Sequence, residues 1–507
     1  MLPGMQTRSS ELLIKIHLIR YLIALVLVIA PLFRAGVTPF SALFLQLLAI
    51  GILTLAIWKP REIALSRFEI ILLLALPATV LFYLIPLPVA WIDALPGRAL
   101  YARVDIQLPL DLADTWQPLT INTNSTLGAG LTLLVPIAVY VGCRRLESVD
   151  LLWIAHLLLA VAAAEAVLGL IQFGMGKAGH MFLVVSGGHT NSAIGTYANR
   201  NHLAGLLYAV LPLCLALLFA SLRREPSGIQ RLDWYRRAEF LGSRHGSKAI
   251  LYFGLSLLLL LGIVFTRSRM GIMLAIVGLV LTTLLMARKL GGRTAFGFSG
   301  TFIVLTLGLG IAIGMAPVLE RFSLDVGADG RVPIFSATLK GIEQYLPLGT
   351  GPGTFTDAIR QFQPIEMGHK YINRAHNDYL EWTSDAGLIA PLLIALAFFL
   401  YLIQWRCIYG YGARSRYNFL RVGAGIGLLL VALHELVDYN LYIPANQVVF
   451  SLLAAFFFMP QSQVGYASTS RSPHHHRCTT ELGTVTGSIS EMPVDCPDQS
   501  ENPFKDC

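Results

Sequence analysis

Apolar positions along this chain gather into long runs. They fall near residues 16–33, 40–58, 69–91, 127–143, 150–172, 203–222, 249–266, 270–287, 298–317, 387–405, 421–437 and 444–460. A helix needs roughly 20 apolar residues to cross a bilayer. The runs therefore predict an all-α polytopic integral membrane protein with about twelve transmembrane helices. Their spacing divides the chain into helices 1–9 over residues 1–317, a long connection at 318–386, and helices 10–12 over 387–460. The stretch 461–507 is rich in Ser, Thr, Gln, Pro and Gly, has no apolar period, and reads as a disordered tail.

Polar positions between the runs assign the two sides. One alternate set of connections holds Arg8 and Lys15, then Lys59, Arg61 and Arg67, then Arg144 and Arg145. It continues with the basic loop 223–248, with Arg288, Lys289 and Arg293, and with Arg406, Arg414, Arg416 and Arg421. Basic residues in short loops mark the cytoplasmic side. Both termini are thus expected inside, and 92–126, 173–202, 267–269 and 318–386 outside. The last segment is longer than a bundle connection needs. It carries Phe322, Phe335, Tyr345, Phe355, Phe362, Tyr371, Tyr379 and Trp382, so it reads as a helical subdomain capping the outer face.

Composition agrees with this picture. Only 13% of residues are charged, where a soluble domain carries about a quarter. The net charge of +8 is explained by topology, and no nucleic-acid partner is expected. Membrane lipids are the expected surroundings. The six cysteines contain no C-x-x-C pair and suggest neither a disulfide framework nor a metal site. The run His474, His475, His476 reads as a chance feature of the tail, and no metal or other cofactor is expected. No cleavable signal pattern is present, so the first run is expected to stay as a helix.

Four places depart from a plain bundle. Thr266-Arg267-Ser268-Arg269-Met270-Gly271 puts two arginines into a turn on the expected outer side, against the positive-inside rule. They read either as snorkelling side chains on lipid headgroups or as a site for a phosphate or pyrophosphate, which guanidinium meets bidentately. Tyr197-Ala198-Asn199-Arg200-Asn201-His202 offers a cation and amide donors at the same level, or simply a capped helix entry.

Gly349-Thr350-Gly351-Pro352-Gly353 can turn sharply or approach a ligand closely. It is followed by Asn373-Arg374-Ala375-His376-Asn377-Asp378-Tyr379-Leu380-Glu381, where His376 is suited to proton exchange near neutral pH. An ordinary polar surface helix is the competing reading. His434-Glu435-Leu436-Val437-Asp438-Tyr439-Asn440, at the end of the eleventh run, is either a functional cluster or a packing network. Glu165, inside the fifth run, must be protonated or paired.

Taken in order, these segments resemble the O-antigen ligase and O-antigen polymerase superfamily of bacterial membrane glycosyltransferases. Ser268-Arg269 is similar to the family's Ser-Arg at a helix start. Arg321, Asp329-Gly330-Arg331 and Pro347 through Phe355 resemble the opening of its large periplasmic loop. Ala375 through Glu381, followed by Gly387-Leu388-Ile389, resembles the His-Asn element that closes that loop. Asp438 through Asn446 is similar to a segment of members linked to exopolysaccharide production. Val332-Pro333 stands where the family often has a tryptophan.

The resemblance covers roughly 190–450. It implies metal-independent transfer of a glycan from undecaprenyl pyrophosphate to a sugar hydroxyl, on lipid A core or on a growing polysaccharide, at the periplasmic face of the bacterial inner membrane. It implies catalytic roles for His376, Arg269 and Arg331. Arg200, Arg267, Asn377, Glu381 and Arg321 are the expected substrate-binding residues. A polymerase of the same superfamily is the nearest alternative. A transporter of the inorganic-carbon type is the next, and a non-catalytic scaffold of a polysaccharide export complex the third.

Overall fold

The computed structural model describes residues 3–58, 65–98, 116–176, 192–222, 242–290, 331–368, 371–410 and 416–460, with positions 300 and 304. The run at 298–317, Arg321, Asp329, Gly330 and the tail 461–507 lie outside the described residues.

The long helices are α1 (Pro3–Ile29), α2 (Pro39–Ile57), α3 (Arg67–Leu84), α4 (Thr123–Cys143), α5 (Ser148–Met175), α6 (Arg200–Leu222), α7 (Arg244–Thr266) and α8 (Arg269–Leu290). Two shorter ones follow, α9 (Arg331–Tyr345) and α10 (Asp378–Ala386), and then α11 (Ile389–Gly410), α12 (Arg416–His434) and α13 (Pro444–Phe457). Among the described residues nine helices, α2–α8, α11 and α12, are long and apolar enough to cross a membrane. The chain is a multi-pass all-α membrane protein. Its only described strands are β1 (Pro86–Pro88) and β2 (Trp116–Pro118), paired antiparallel with Pro86 opposite Pro118.

Helix starts follow local chemistry. Thr38, Ser66, Asn122, Ser243 and Asn377 each accept a first-turn amide through the side chain, which supplies a partner to an otherwise orphaned donor. Ser66 and Glu69 form a full capping box on α3. The third apolar run continues to 91, but α3 stops at Leu84. Pro86 and Pro88 lack the amide a helix needs, and they form β1 instead. The eleventh run continues to 437, but α12 stops at His434. Beyond it the Glu435 carboxyl accepts the Asn440 amide at 2.8 Å, a local bond that competes with helix.

α6 is the central helix, with every residue from His202 to Phe219 buried. It packs against α7, α8 and α12. Lipid tails are as apolar as leucine, so helices in a membrane associate mainly through close packing of small residues. Here the small residues lie on α12. A Cβ on Gly427 would stand 2.3 Å from the Ala209 carbonyl oxygen of α6. α13 closes the bundle against α4 and α12. Its terminal carbonyls are capped by side chains: Gln404 and Arg421 donate to Phe457, and Arg144 donates to Phe458.

The cap at the opposite end is built from α9, α10 and the segment between them. It has its own core of Ile334, Ala337, Phe355, Ile359, Ile372 and Ala375. Among the described cysteines Cys143 and Cys214 are free.

The α6–α12 contact predicts that Gly427→Leu lowers stability by at least the ~1–3 kcal/mol typical of overpacking. Thermal unfolding of the purified protein would measure it, and an unchanged midpoint would contradict the close contact.

Candidate active site

At one end of the bundle α6 and α8 begin and α12 ends. Ser268 caps α8 by accepting the Gly271 amide at 3.2 Å, which fixes Arg269 in the first turn. Gly271 faces Ala204 of α6, where a Cβ would come within 2.6 Å of the alanine's own Cβ. Arg200 and Arg269 thus begin two helices in direct contact. Arg267 holds the preceding helix end in a left-handed conformation, φ 57°. Arg200, Arg267 and Arg269 are all half-buried. Arg200 and Arg269 thus put positive charge at the starts of two adjacent helices, with Arg267 two residues before the second, a placement that favours an anion.

His376 lies against the end of α12. It precedes Asn377, the cap of α10, so it is not on the helix and shares no helical face with Glu381. Its φ is +54°, a left-handed backbone that costs a non-glycine residue of order 1–3 kcal/mol and tends to occur at functional sites. The loop that holds it is firmly tied. Glu381 has no exposed surface. One of its oxygens accepts Arg374 at 2.8 Å and the other the Ala375 amide at 2.8 Å. The Arg374 guanidinium lies 3.8 Å over the Tyr442 ring. Asn377 donates to the Leu436 carbonyl at 2.9 Å. Glu381 and Asn377 therefore position the His376 loop, and neither touches the ring itself.

The partner of the ring is Asp438, which was not among the expected site residues. Its carboxylate is fully buried. Oδ1 faces His376 Nδ1 at 3.4 Å and accepts the Tyr439 amide at 3.1 Å. Oδ2 accepts Asn201 at 2.7 Å and meets Arg331 Nη2 at 3.4 Å. His434 Nε2 stands 4.0 Å away and its Nδ1 is 2.9 Å from the Tyr208 hydroxyl. Burial alone would push the Asp438 carboxyl up. The His376 hydrogen bond and the nearby His202, His434 and Arg331 outweigh it and hold the group below the usual carboxylate range. Arg331 also donates to the Val437 carbonyl at 2.6 Å, so the start of α9 is pinned to the same loop.

Asp438 thus joins residues from α6, α9, α12 and the His376 loop. A sequence signal for it existed, since ionisable residues crowd the end of the eleventh run. Nothing in the sequence paired it with His376, 62 positions earlier.

The glycine-rich loop takes the role of a sharp turn. Thr350 and Gly351 amides donate to the Ser384 and Asp385 carbonyls at 3.1 and 2.7 Å, and the Gly353 amide to the Asp385 carboxyl at 2.7 Å. Gly351 has φ +115°, and a Cβ there would fall 2.2 Å from Thr120 Oγ1. These amides close off the end of α10. Glu165 is paired: its carboxyl accepts the Thr196 amide and hydroxyl at 2.9 and 2.7 Å. It anchors the segment leading to Arg200.

Among the described residues no group of His, Cys, Asp and Glu could hold a metal ion. The arrangement combines a cationic region on α6 and α8 with a buried-carboxylate–histidine pair opening at the same bundle end. Residues 254–395 match the family model described as O-antigen ligase. This match supports the O-antigen ligase and polymerase superfamily, and with it an activity of the glycosyltransferase type. It spans Arg267, Arg269, Arg331, His376, Asn377 and Glu381, and leaves Arg200 and Asp438 outside. No curated protein matches the chain.

Removing the Glu381 charge should release the His376 loop. Breaking a buried ion pair by removing one partner costs about 3–5 kcal/mol. Glu381→Gln is therefore expected to lower the thermal midpoint markedly, and Glu381→Asp less so. Equal, small effects from both would show that the carboxylate does not hold the loop.

Proposed function

We propose that the protein transfers a glycan from a polyprenyl pyrophosphate carrier to a sugar hydroxyl, at the periplasmic face of the bacterial inner membrane. The observation that carries this reading is the His376–Asp438 pair beside the arginines of α6 and α8. The acceptor oxygen attacks the anomeric carbon, and a new C–O bond forms as the bond to pyrophosphate breaks. The bonding electrons leave with the pyrophosphate.

Its growing charge is balanced by Arg269, Arg267 and Arg200, whose guanidinium groups need no reorganisation during the step. His376 takes the hydroxyl proton on Nε2, because Nδ1–H is engaged by Asp438. Asp438 stays ionised and stabilises the imidazolium that results. Arg331 keeps Asp438 in place and adds positive charge at the opening. The arginines supply the charge stabilisation that a metal ion gives elsewhere, and we propose that the reaction is metal-independent. Undecaprenyl pyrophosphate is the proposed carrier, with lipid A core or a growing polysaccharide as the acceptor.

The experiment is glycan profiling of cells lacking the gene. They would be complemented with wild type, His376→Ala, Asp438→Asn, Arg269→Ala or Arg331→Ala, each checked for membrane expression. Loss of the general base should cost about 10²–10⁴ in rate, enough for the His376 variant to match the deletion while lipid-linked glycan accumulates. Attachment to lipid A distinguishes ligase from polymerase, which would instead change chain length. Full restoration by all four variants would sink the transferase reading and favour transport or scaffolding.

A further inference from the structure

Beside the site lies a second pair of acidic side chains that the proposed chemistry does not use. Asp378 opens α10, two residues after His376. Glu435 follows the last residue of α12, three before Asp438. Both side chains are fully buried, and each carboxyl lies within electrostatic range of the other. Two carboxylates could not hydrogen-bond to each other, because neither has a hydrogen to donate.

The two Asp378 oxygens and Glu435 Oε1 are buried with no hydrogen-bond partner, a costly arrangement for two charged groups. One proton held between the two carboxyls would supply the missing bond.

The backbone makes this pair a junction. The Asp378 amide donates to the Glu435 carbonyl at 2.9 Å, and the Tyr379 hydroxyl donates to the Ala432 carbonyl at 2.7 Å. Glu435 Oε2 accepts the Asn440 amide, so it also shapes the turn that presents Asp438. The arm carrying His376 and the arm carrying Asp438 are therefore tied together here.

We propose that Asp378 and Glu435 share one proton, and that this proton clasps the His376 arm to the Asp438 arm. They are positioning residues; their meaning for catalysis rests on the proposed roles of His376 and Asp438, but the clasp itself does not.

The groups facing the pair are Glu381 and Arg374 on the His376 arm, Asp438 and Tyr442 on the other, Tyr379 on α10 and Tyr208 on α6. Acidic neighbours outnumber the single arginine, which favours keeping the proton. Burial is the main cause that raises both carboxyls, Glu435 to about 8.

An acid raised on folding gives stability that is fully present below its unfolded value, near 4, and is lost progressively as pH rises to the folded value. The clasp should therefore be tightest in acid, weaken steadily through neutral pH, and have given up this stabilisation above about pH 8.

The test is hydrogen–deuterium exchange of full-length protein in detergent, without substrate, at pH 6.5, 7.5, 8.5 and 9.5. Rates for residues 375–381 would be corrected for the intrinsic effect of pH. In wild type, protection should fall by about ten-fold per pH unit up to the folded value, about 8, and level off above it. Asp378→Asn and Glu435→Gln each replace the shared proton with an amide donor, so protection in both should be nearly constant with pH. A wild-type segment equally protected across the series overturns the clasp, as does a pH-dependent loss that persists unchanged in both amide variants. Neither outcome depends on whether the protein transfers glycans.

Discussion

A carboxylate with no exposed surface stays charged only if its surroundings supply donors, and the site end of this protein is organised around that requirement at Asp438. Meeting it draws in Asn201 from α6, Arg331 from α9 and His376 from the loop before α10. Each comes from a different part of the chain, so satisfying one carboxylate fixes the relative position of all three. The same donors leave His376 with one defined ring nitrogen toward the opening. Removing any one of them leaves a buried charge short of a partner, a more serious fault than the loss of a single hydrogen bond.

The membrane part follows from a simpler rule. Backbone groups in hydrocarbon must be satisfied internally, which makes helices obligatory and moves the decisions to their ends and contacts. Serine, threonine and asparagine caps set several starts. The end of α13 is closed by Arg144, Gln404 and Arg421 rather than by water. Between helices the fit of α12 on α6 depends on glycine, because no side chain can occupy the space beside the Ala209 carbonyl. A rigid α6–α12 pair in turn supports His202, His434 and the turn that bears Asp438.

Much of the fold was legible in the sequence because apolar run length is a direct physical demand of the bilayer. Helix boundaries were less so. Pro86 and Pro88 could be read as breakers only once the run around them was seen as too long. Arg269 stood out by placing charge where the run pattern disfavours it, His376 by its capacity for proton exchange, and Arg331 only through the family resemblance. The pairing of His376 with Asp438 was not legible, since contact between residues 62 positions apart comes from the packing of α10 on the end of α12. The same is true of Glu381, which looked like a substrate contact and lies beneath the loop. Its role is carried by burial, a property no local motif records.

Depth gives the site a further property. Asn440 packs against Gly205, which lies five residues, about 7 Å, inside the start of α6. The turn thus descends from Asp438, which meets Asn201 at the rim formed by the first residues of α6, to Asn440 below it, and Asn446 near the start of α13 lies at this lower level. Under the function proposed above, the recess would let the reacting bond of a donor anchored by a lipid tail meet the protein below that rim. Less headgroup lifting into water would then be required, and the hydrocarbon chain would keep more of its contacts with the bilayer.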